Sequence, residues 1–312
     1  MSDPVVLPET AALLALLAAQ PGPHLADMPA DVAREAYRQM GTLFDAPADP
    51  AVRTVDFSGG GCALRAYFPG APVPGPVIVY MHGGGWVIGD LETHHGLCAL
   101  IARVTGLRVV AVDYRLAPEH PFPAAHEDCL AAATFVAAGP AVLEAPVTGI
   151  AVAGDSAGGN LAFHVATQLT TAPVLGQLLI YPVGDCTSPE TGSYRQFAEG
   201  YLLDRRLMDR FIADYLPDPA SRARPALSPV LHPLPARVPP AVILTAGLDM
   251  LRDQGRALAD GIVGRGGEVH FVEAEGLIHG LATMRQALPT GDTVIRQAVG
   301  IFAAMIGANR NK

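Results

Sequence analysis

The sequence predicts an α/β protein: a mostly parallel central sheet flanked by helices and carrying a helical cap. Three observations predict it. From Val77 onward, short apolar runs alternate with segments of helical periodicity, the pattern of βαβ units. The runs are apolar at every position rather than at alternate ones, as strands buried on both faces are. Between Asp185 and about Arg224 the alternation stops, which marks an insertion after a strand.

Composition narrows the function classes. The 312 residues are 50% hydrophobic and 16% charged, with a mean hydropathy of +0.29, which excludes a disordered chain. The 33 glycines and 28 prolines follow no period and signal many tight turns. Net charge is −9 and the 21 Lys and Arg are scattered, so nucleic acid is not an expected partner. Cys62, Cys98, Cys129 and Cys186 show neither C-x-x-C nor zinc spacing, and reduced thiols in a cytoplasmic setting are expected. No metal and no cofactor are expected. His94-His95 cannot both face one ion from a regular element, and His126 with Cys129 has no further ligands nearby. No apolar run reaches the roughly 18 residues of a membrane span. Ala11 to Ala19 has the length of a signal-peptide core, but Asp3 and Glu9 precede it and no Lys or Arg does. It reads as a helix started by Pro8-Glu9-Thr10.

Element by element, residues 1 to about 48 read as two helices separated by the break Pro21-Gly22-Pro23. Their apolar faces need a surface to rest on. Val52 to Phe57 and Ala63 to Tyr67 form a hairpin around Ser58-Gly59-Gly60-Gly61. Val77 to Met81 is a buried strand, Leu91 to Thr105 a helix, Arg108 to Val112 a strand and His126 to Ala138 a helix. Then come a strand at Ile150 to Ala153, a helix at Leu161 to Thr171 and a strand at Gln177 to Tyr181. Leu202 to Leu216 is a helix within the insertion, suited to a lid over the carboxyl edge of the sheet. The chain finishes with a strand at Ala241 to Ala246, a helix at Gly255 to Gly264, a strand at Glu268 to Glu273 and a helix from about Asp292 to Ile306. The apolar positions of that last helix suit a homodimer contact and packing on the sheet equally.

The chemistry begins at Gly154-Asp155-Ser156-Ala157-Gly158, a G-x-S-x-G pattern between a predicted strand and a predicted helix. Glycines permit a sharp turn that holds the serine hydroxyl out at a helix N-terminus. The second signal is His82-Gly83-Gly84-Gly85-Trp86, directly after a strand. Its bare backbone N–H groups can donate to a developing oxyanion, with Ala157 adding another. No G-K-[ST] follows, so it is not a P-loop. His82 reads as a residue that orients the loop. A nucleophilic serine needs an acid and a base, in chain order Ser, acid, His. Asp249, just past a strand, is favoured over Asp253, which falls in the next helix turn. His279, in the loop Gly276 to Gly280, is favoured over His270, which sits inside a strand pattern where an imidazole packs in the core.

These segments carry a resemblance. HGGGW, the run from Asp113 to Ala125, GDSAGGN ending at Asn160, LDMLRDQG and IHG together resemble the hormone-sensitive-lipase-like esterases of the α/β-hydrolase superfamily, from about Val77 to the C-terminus. The resemblance implies an α/β-hydrolase fold, a cap, and hydrolysis of carboxylic esters. It implies Ser156, Asp249 and His279 as the triad, and Gly83, Gly84, Gly85 and Ala157 around the oxyanion, with two of the three glycines donating. The family's usual D-P-L is departed from here, because Met250 stands where the proline would be.

The expected organisation is residues 1–48 in the cap, 49–184 as the first part of the core, 185–225 as a cap insertion and 226–312 as the second part. Trp86, Tyr181, Leu203, Met208, Ile278 and Leu281 are candidate pocket walls, and a small-molecule ester of short to medium chain is the expected partner. Arg115 and Glu119 are expected in a structural polar network, in a loop with one cis proline. Asp155 is expected to meet a loop partner or a helix N-terminus. Acyl transfer or amide hydrolysis would use the same triad. A silent binding protein is the competing class, disfavoured because all three triad residues are present.

Overall fold

The computed structural model describes residues 4–20, 22–190 and 192–309. Pro21, part of the predicted break, lies outside them. Helices α1 (Pro8–Ala18) and α2 (Ala30–Phe44) flank a single 3₁₀ turn, Leu25–Asp27. The hairpin is β1 (Arg53–Gly59) and β2 (Cys62–Phe68). Then follow β3 (Gly75–Met81), α3 (His95–Thr105), β4 (Arg108–Asp113), α4 (Ala124–Ala137), β5 (Val147–Asp155), α5 (Ala157–Gln168) and β6 (Val174–Ile180). The insertion holds α6 (Gly192–Gln196) and α7 (Arg205–Tyr215). The chain closes with β7 (Ala241–Leu248), α8 (Arg252–Gly264), β8 (Val269–Ile278) and α9 (Pro289–Asn309).

Four elements differ from expectation for local reasons. Helix α3 starts at His95, because Asp90 and Thr93 bind one another's backbone and hold Leu91 to His94 in a turn. Helix α5 starts at Ala157, directly after the serine, although Gly158 and Gly159 look like loop residues. Strand β8 runs through Gly276 to Ile278, so His279 follows the strand end without a loop. The five-residue α6 carries too short a pattern to read.

Eight strands form one sheet in the order β1-β2-β4-β3-β5-β6-β7-β8. β1 and β2 are antiparallel to their neighbours, and the six strands from β4 to β8 run parallel. Every residue of β3 and β7 is buried, as a parallel strand covered on both faces requires. Helix α3 packs against α9, and α4 against α5. Ile295, Val299 and Phe302 of α9 are buried within this chain, which accounts for the apolar face of that helix. Arg108 sits buried at the amino edge of β4, its cation satisfied by the carbonyls of Gly75, Leu143, Ala145 and Pro146.

Strand order decides where the site falls. β3 and β5 are neighbours, and the chain leaves β3 for β4 on the opposite side, so a crevice opens at their carboxyl ends. Register sets Met81 beside Gly154, Asp155 beside Ile180 and Leu248 beside Ile278. The residues that follow these positions therefore gather on one edge. β8 is the last strand in the sheet and, among the described residues, pairs only with β7. Near its end the Gly276 carbonyl accepts from the Leu7 N–H at 3.2 Å and the buried Thr10 hydroxyl at 2.8 Å. Among the described residues, no helix is long and apolar enough to cross a membrane.

Candidate active site

Ser156 is the hinge between β5 and α5. Its φ of +55° is unusual for a residue with a side chain and stores strain in the turn. The turn is possible because its neighbours lack side chains. A Cβ on Gly154 would lie 2.2 Å from the Gly158 carbonyl oxygen, and one on Gly158 would lie 2.1 Å from that of Met81. The Ser156 N–H is fixed on the Ile180 carbonyl at 2.9 Å.

Three buried side chains from three strand ends then meet. His279 Nε2 lies 2.9 Å from Ser156 Oγ, and His279 Nδ1 lies 2.7 Å from Asp249 Oδ2. The other Asp249 oxygen accepts from the Leu251 N–H at 2.9 Å, which orients the carboxylate. With Nδ1–H facing a carboxylate, Nε2 presents its lone pair to the hydroxyl. The Tyr181 ring lies tilted against the His279 ring at 4.4 Å, centroid to centroid, and its hydroxyl accepts from the Ala282 N–H. The rivals lie apart. Asp253 pairs with Arg252 and Arg256 and accepts from the Ser193 N–H. His270 is exposed on β8 beside Glu268, not packed in the core, because β8 is the sheet edge.

The glycine loop is held from below. Asp155 is buried and its Oδ1 accepts from the Tyr80 hydroxyl at 2.6 Å and from the Gly83 N–H at 2.9 Å. Burial alone would raise this carboxyl; the adjacent His94 and the Tyr80 hydroxyl outweigh it and keep it below the usual carboxylate range. Gly83 therefore has no N–H to spare, which corrects the expectation that it stands among the oxyanion donors. Among the described residues, no hydrogen bond engages the N–H of Gly84, Gly85 or Ala157. Gly85 must be glycine, since a Cβ would sit 2.1 Å from the Phe211 ring. His82 is buried and stacked on Tyr114, with Nδ1 on the Gly83 carbonyl at 2.8 Å. Burial and the neighbouring His94 push its pKa down to about 4, so it stays neutral.

A cavity of about 330 Å³ opens over Ser156, His279, Gly84 and Gly85. Its floor is this edge of the sheet. Its walls come from Leu25, Met28, Tyr37 and Met40 near the N-terminus, and from Leu203, Leu207, Met208 and Phe211 of the insertion. Of the six expected walls, Leu203 and Met208 line this cavity. Trp86, Tyr181, Ile278 and Leu281 do not line the cavity. They are buried one layer deeper, Trp86 against Tyr215, because strand ends and tight turns point such side chains into the core. Leu207 and Phe211 were legible from the helical spacing around Met208. Tyr37 and Met40 were not, since nothing local says which surface α2 covers. Arg34 of α2 anchors it by donating to the Val87 and Ala117 carbonyls and pairing with Glu119. Arg115 pairs instead with Asp128. Two prolines in this loop are cis, Pro118 and Pro123, against the one expected. Among the described residues, no three His, Cys, Asp or Glu gather as a metal site would require.

A family model described as alpha/beta hydrolase fold matches residues 78–283. The chain belongs to the α/β-hydrolase family. A carboxylic ester hydrolase of Mycobacterium tuberculosis, LipN, is 40% identical over 71% of this chain, which spans 61% of that relative's length. An ethyl acetate hydrolase of Pseudomonas putida is 35% identical, covering 84% of this chain and 86% of its own. Among solved structures, an alpha/beta hydrolase enzyme from the metagenome of Lake Arreo in Spain superposes with a TM-score of 0.89 at 37% identity, covering 97% of this chain and 99% of that one. A thermostable esterase from Pseudomonas putida ECU1011 gives 0.90 at 30% identity over 98% and 99%.

Proposed function

We propose that this α/β-hydrolase, a carboxylic ester hydrolase, cleaves short- to medium-chain esters through Ser156, His279 and Asp249, as a member of the hormone-sensitive-lipase-like esterases. The observation that supports the reading is the hydrogen-bonded row from Ser156 Oγ through His279 to Asp249, with unpaired backbone donors beside it. As the hydroxyl attacks the ester carbonyl, His279 Nε2 takes its proton. Asp249 holds the tautomer and stabilises the imidazolium. The N–H groups of Gly84, Gly85 and Ala157 receive the oxyanion, and losing one such donor typically costs about 2.7–4 kcal/mol of barrier. The imidazolium returns its proton to the leaving alcohol. Water, activated by the same base, then hydrolyses the acyl-enzyme.

Chain length follows from size. At about 330 Å³ the cavity stands at the small end of ligand pockets, roughly 300–1,000 Å³, and its lining is largely apolar. Residues 23–41 and 202–211 roof it, and we assign both segments to the cap. The four cysteines are unbridged and buried, which supports the cytoplasmic setting.

Initial rates on p-nitrophenyl esters from acetate to palmitate, with Ser156→Ala as control, test this reading. Rates peaking at short or medium chains and abolished in the mutant are expected. Turnover surviving in Ser156→Ala would overturn the assignment, and rates peaking at palmitate would overturn the chain length.

A further inference from the structure

The site contains a second buried carboxylate–imidazole pair that the reaction does not consume. His94 Nε2 lies 3.1 Å from Asp155 Oδ1, with both side chains almost wholly buried. An approach this close is attractive only when Nε2 carries a proton. The Gly83 N–H, 3.3 Å from the same nitrogen, therefore goes to Asp155, its partner at 2.9 Å. On the other side of the ring, Nδ1 meets the Thr93 hydroxyl at 2.8 Å, and Thr93 is tied to the backbone of Asp90. Tyr37, Tyr80 and His82 enclose the ring. His94 is thus fixed on both nitrogens and directed at one oxygen.

That oxygen pins the glycine loop. Gly83 is the last residue before the two unpaired donors, and Asp155 is the residue before the nucleophile. Asp155 consequently sets the spacing between the serine turn and the loop. It also brings a negative charge beside the place where the ester oxygen becomes negative. In a site shielded from water, an uncompensated carboxylate there would oppose the transition state.

We propose that His94 is a positioning residue for ester hydrolysis: it compensates the Asp155 carboxylate, so that this carboxylate can hold Gly83 in place without repelling the oxyanion at Gly84 and Gly85. The proposal rests on the oxyanion reading given above. His94 touches no substrate and acts through Asp155 alone. Removing its Nε2–H has two consequences. The loop loses a restraint, and the buried charge loses its partner, which is the costly way to break such a pair.

The full chain carrying His94→Met, His94→Gln, Asp155→Asn or Asp155→Asn with His94→Met, assayed on p-nitrophenyl butyrate, tests it. His94→Met is expected to lower kcat about 10- to 100-fold with KM within about twofold. His94→Gln, whose amide N–H can reach Asp155, is expected to recover to within about threefold of the wild type. In the Asp155→Asn background no charge remains to compensate, so adding His94→Met is expected to cost less than about threefold in kcat. An equal loss in both backgrounds, or equal losses for Gln and Met, would overturn the proposal, as would an unchanged kcat in His94→Met. Should His94→Met alone fail to fold, the Asp155→Asn pair decides by itself. Failure of the oxyanion reading would show separately. Gly84→Ala, whose Cβ would lie 2.2 Å from the Ile88 carbonyl oxygen and displace the loop, would then keep the wild-type kcat.

Discussion

Replacing Asp249 by asparagine removes one charge and almost no volume, and the structure says what each orientation of the new amide would do. Asp249 Oδ1 accepts from the Leu251 N–H at 2.9 Å, and Oδ2 faces His279 Nδ1 at 2.7 Å. An asparagine that keeps its oxygen on Leu251 turns its NH₂ toward His279. Nδ1 must then accept, the ring proton moves to Nε2, and Nε2 donates to Ser156 instead of taking its proton. In this tautomer the base is absent, and about 10⁴-fold in kcat is the expected loss. The flipped asparagine restores the working tautomer but sets its NH₂ against the Leu251 N–H. Leaving that buried donor unpaired costs roughly 1–3 kcal/mol, so the productive orientation is populated at about one part in 5 to one in 160. The loss in kcat for Asp249→Asn is therefore at least about 5-fold and, because a neutral amide also stabilises the imidazolium less, at most about 10⁴-fold, with little change in KM. Asp253→Asn is the control, since its carboxylate meets Arg252, Arg256 and the Ser193 N–H and not the imidazole. It should keep kcat within about threefold. Steady-state rates on p-nitrophenyl butyrate, with circular dichroism to check the fold, measure both. A folded Asp249→Asn that retains more than a third of wild-type kcat would refute the reasoning.

Other outcomes follow from the same structure. Phe211→Ala removes the ring over Gly85, and the ratio of kcat/KM for octanoate to that for butyrate should rise roughly tenfold, on the scale of one or two methylenes; an unchanged profile in an ester series would place the acyl chain elsewhere. Arg285→Met strands Asp45, which it grips at 2.8 and 2.9 Å with both side chains buried, and should cost about 3–5 kcal/mol in urea unfolding, while Asp45→Asn with Arg285→Met should lie closer to the wild type. Acid should destabilise the fold. Burial, with a neighbouring histidine, holds His82 and His126 at about 4 and about 3, whereas in the unfolded chain both titrate near 6.5. Below about pH 6.5 the unfolded state gains protons that the folded state refuses, so unfolding free energy should fall by about 1.4 kcal/mol per pH unit for each. Urea midpoints at pH 7 and pH 5 check this, and equal midpoints would contradict it.

What could be read from the sequence was what chemistry or packing writes locally. The serine turn demands glycine at 154 and 158, so the motif shows in five residues. The strands of the sheet interior are short unbroken apolar runs and were found with ends displaced by a few residues. What could not be read depends on partners distant in the chain. The start of α5 was hidden because Gly158 and Gly159 serve close packing, with Gly159 against Pro182, rather than a loop. Whether Gly83 donates to substrate or to Asp155 is settled by a partner 72 positions further along the chain. The exposure of His270 depends on β8 being outermost, which its own composition does not state. The pocket walls were misjudged where proximity in sequence to a motif stood in for direction, as at Trp86 and Ile278.

The imidazole assigned as the base stands directly after the outermost strand, the part of a sheet most prone to open on its own. Its restraint on the free side is the pair of hydrogen bonds that Leu7 and Thr10 place on Gly276. The N-terminal segment thus works as a hasp on the His279 end of β8 as well as a wall of the cavity. On warming, fraying there would part His279 from Ser156 while the remaining strands stay paired. Heat inactivation would then run ahead of global unfolding, and cutting the chain after Thr10 would widen the gap between the two temperatures.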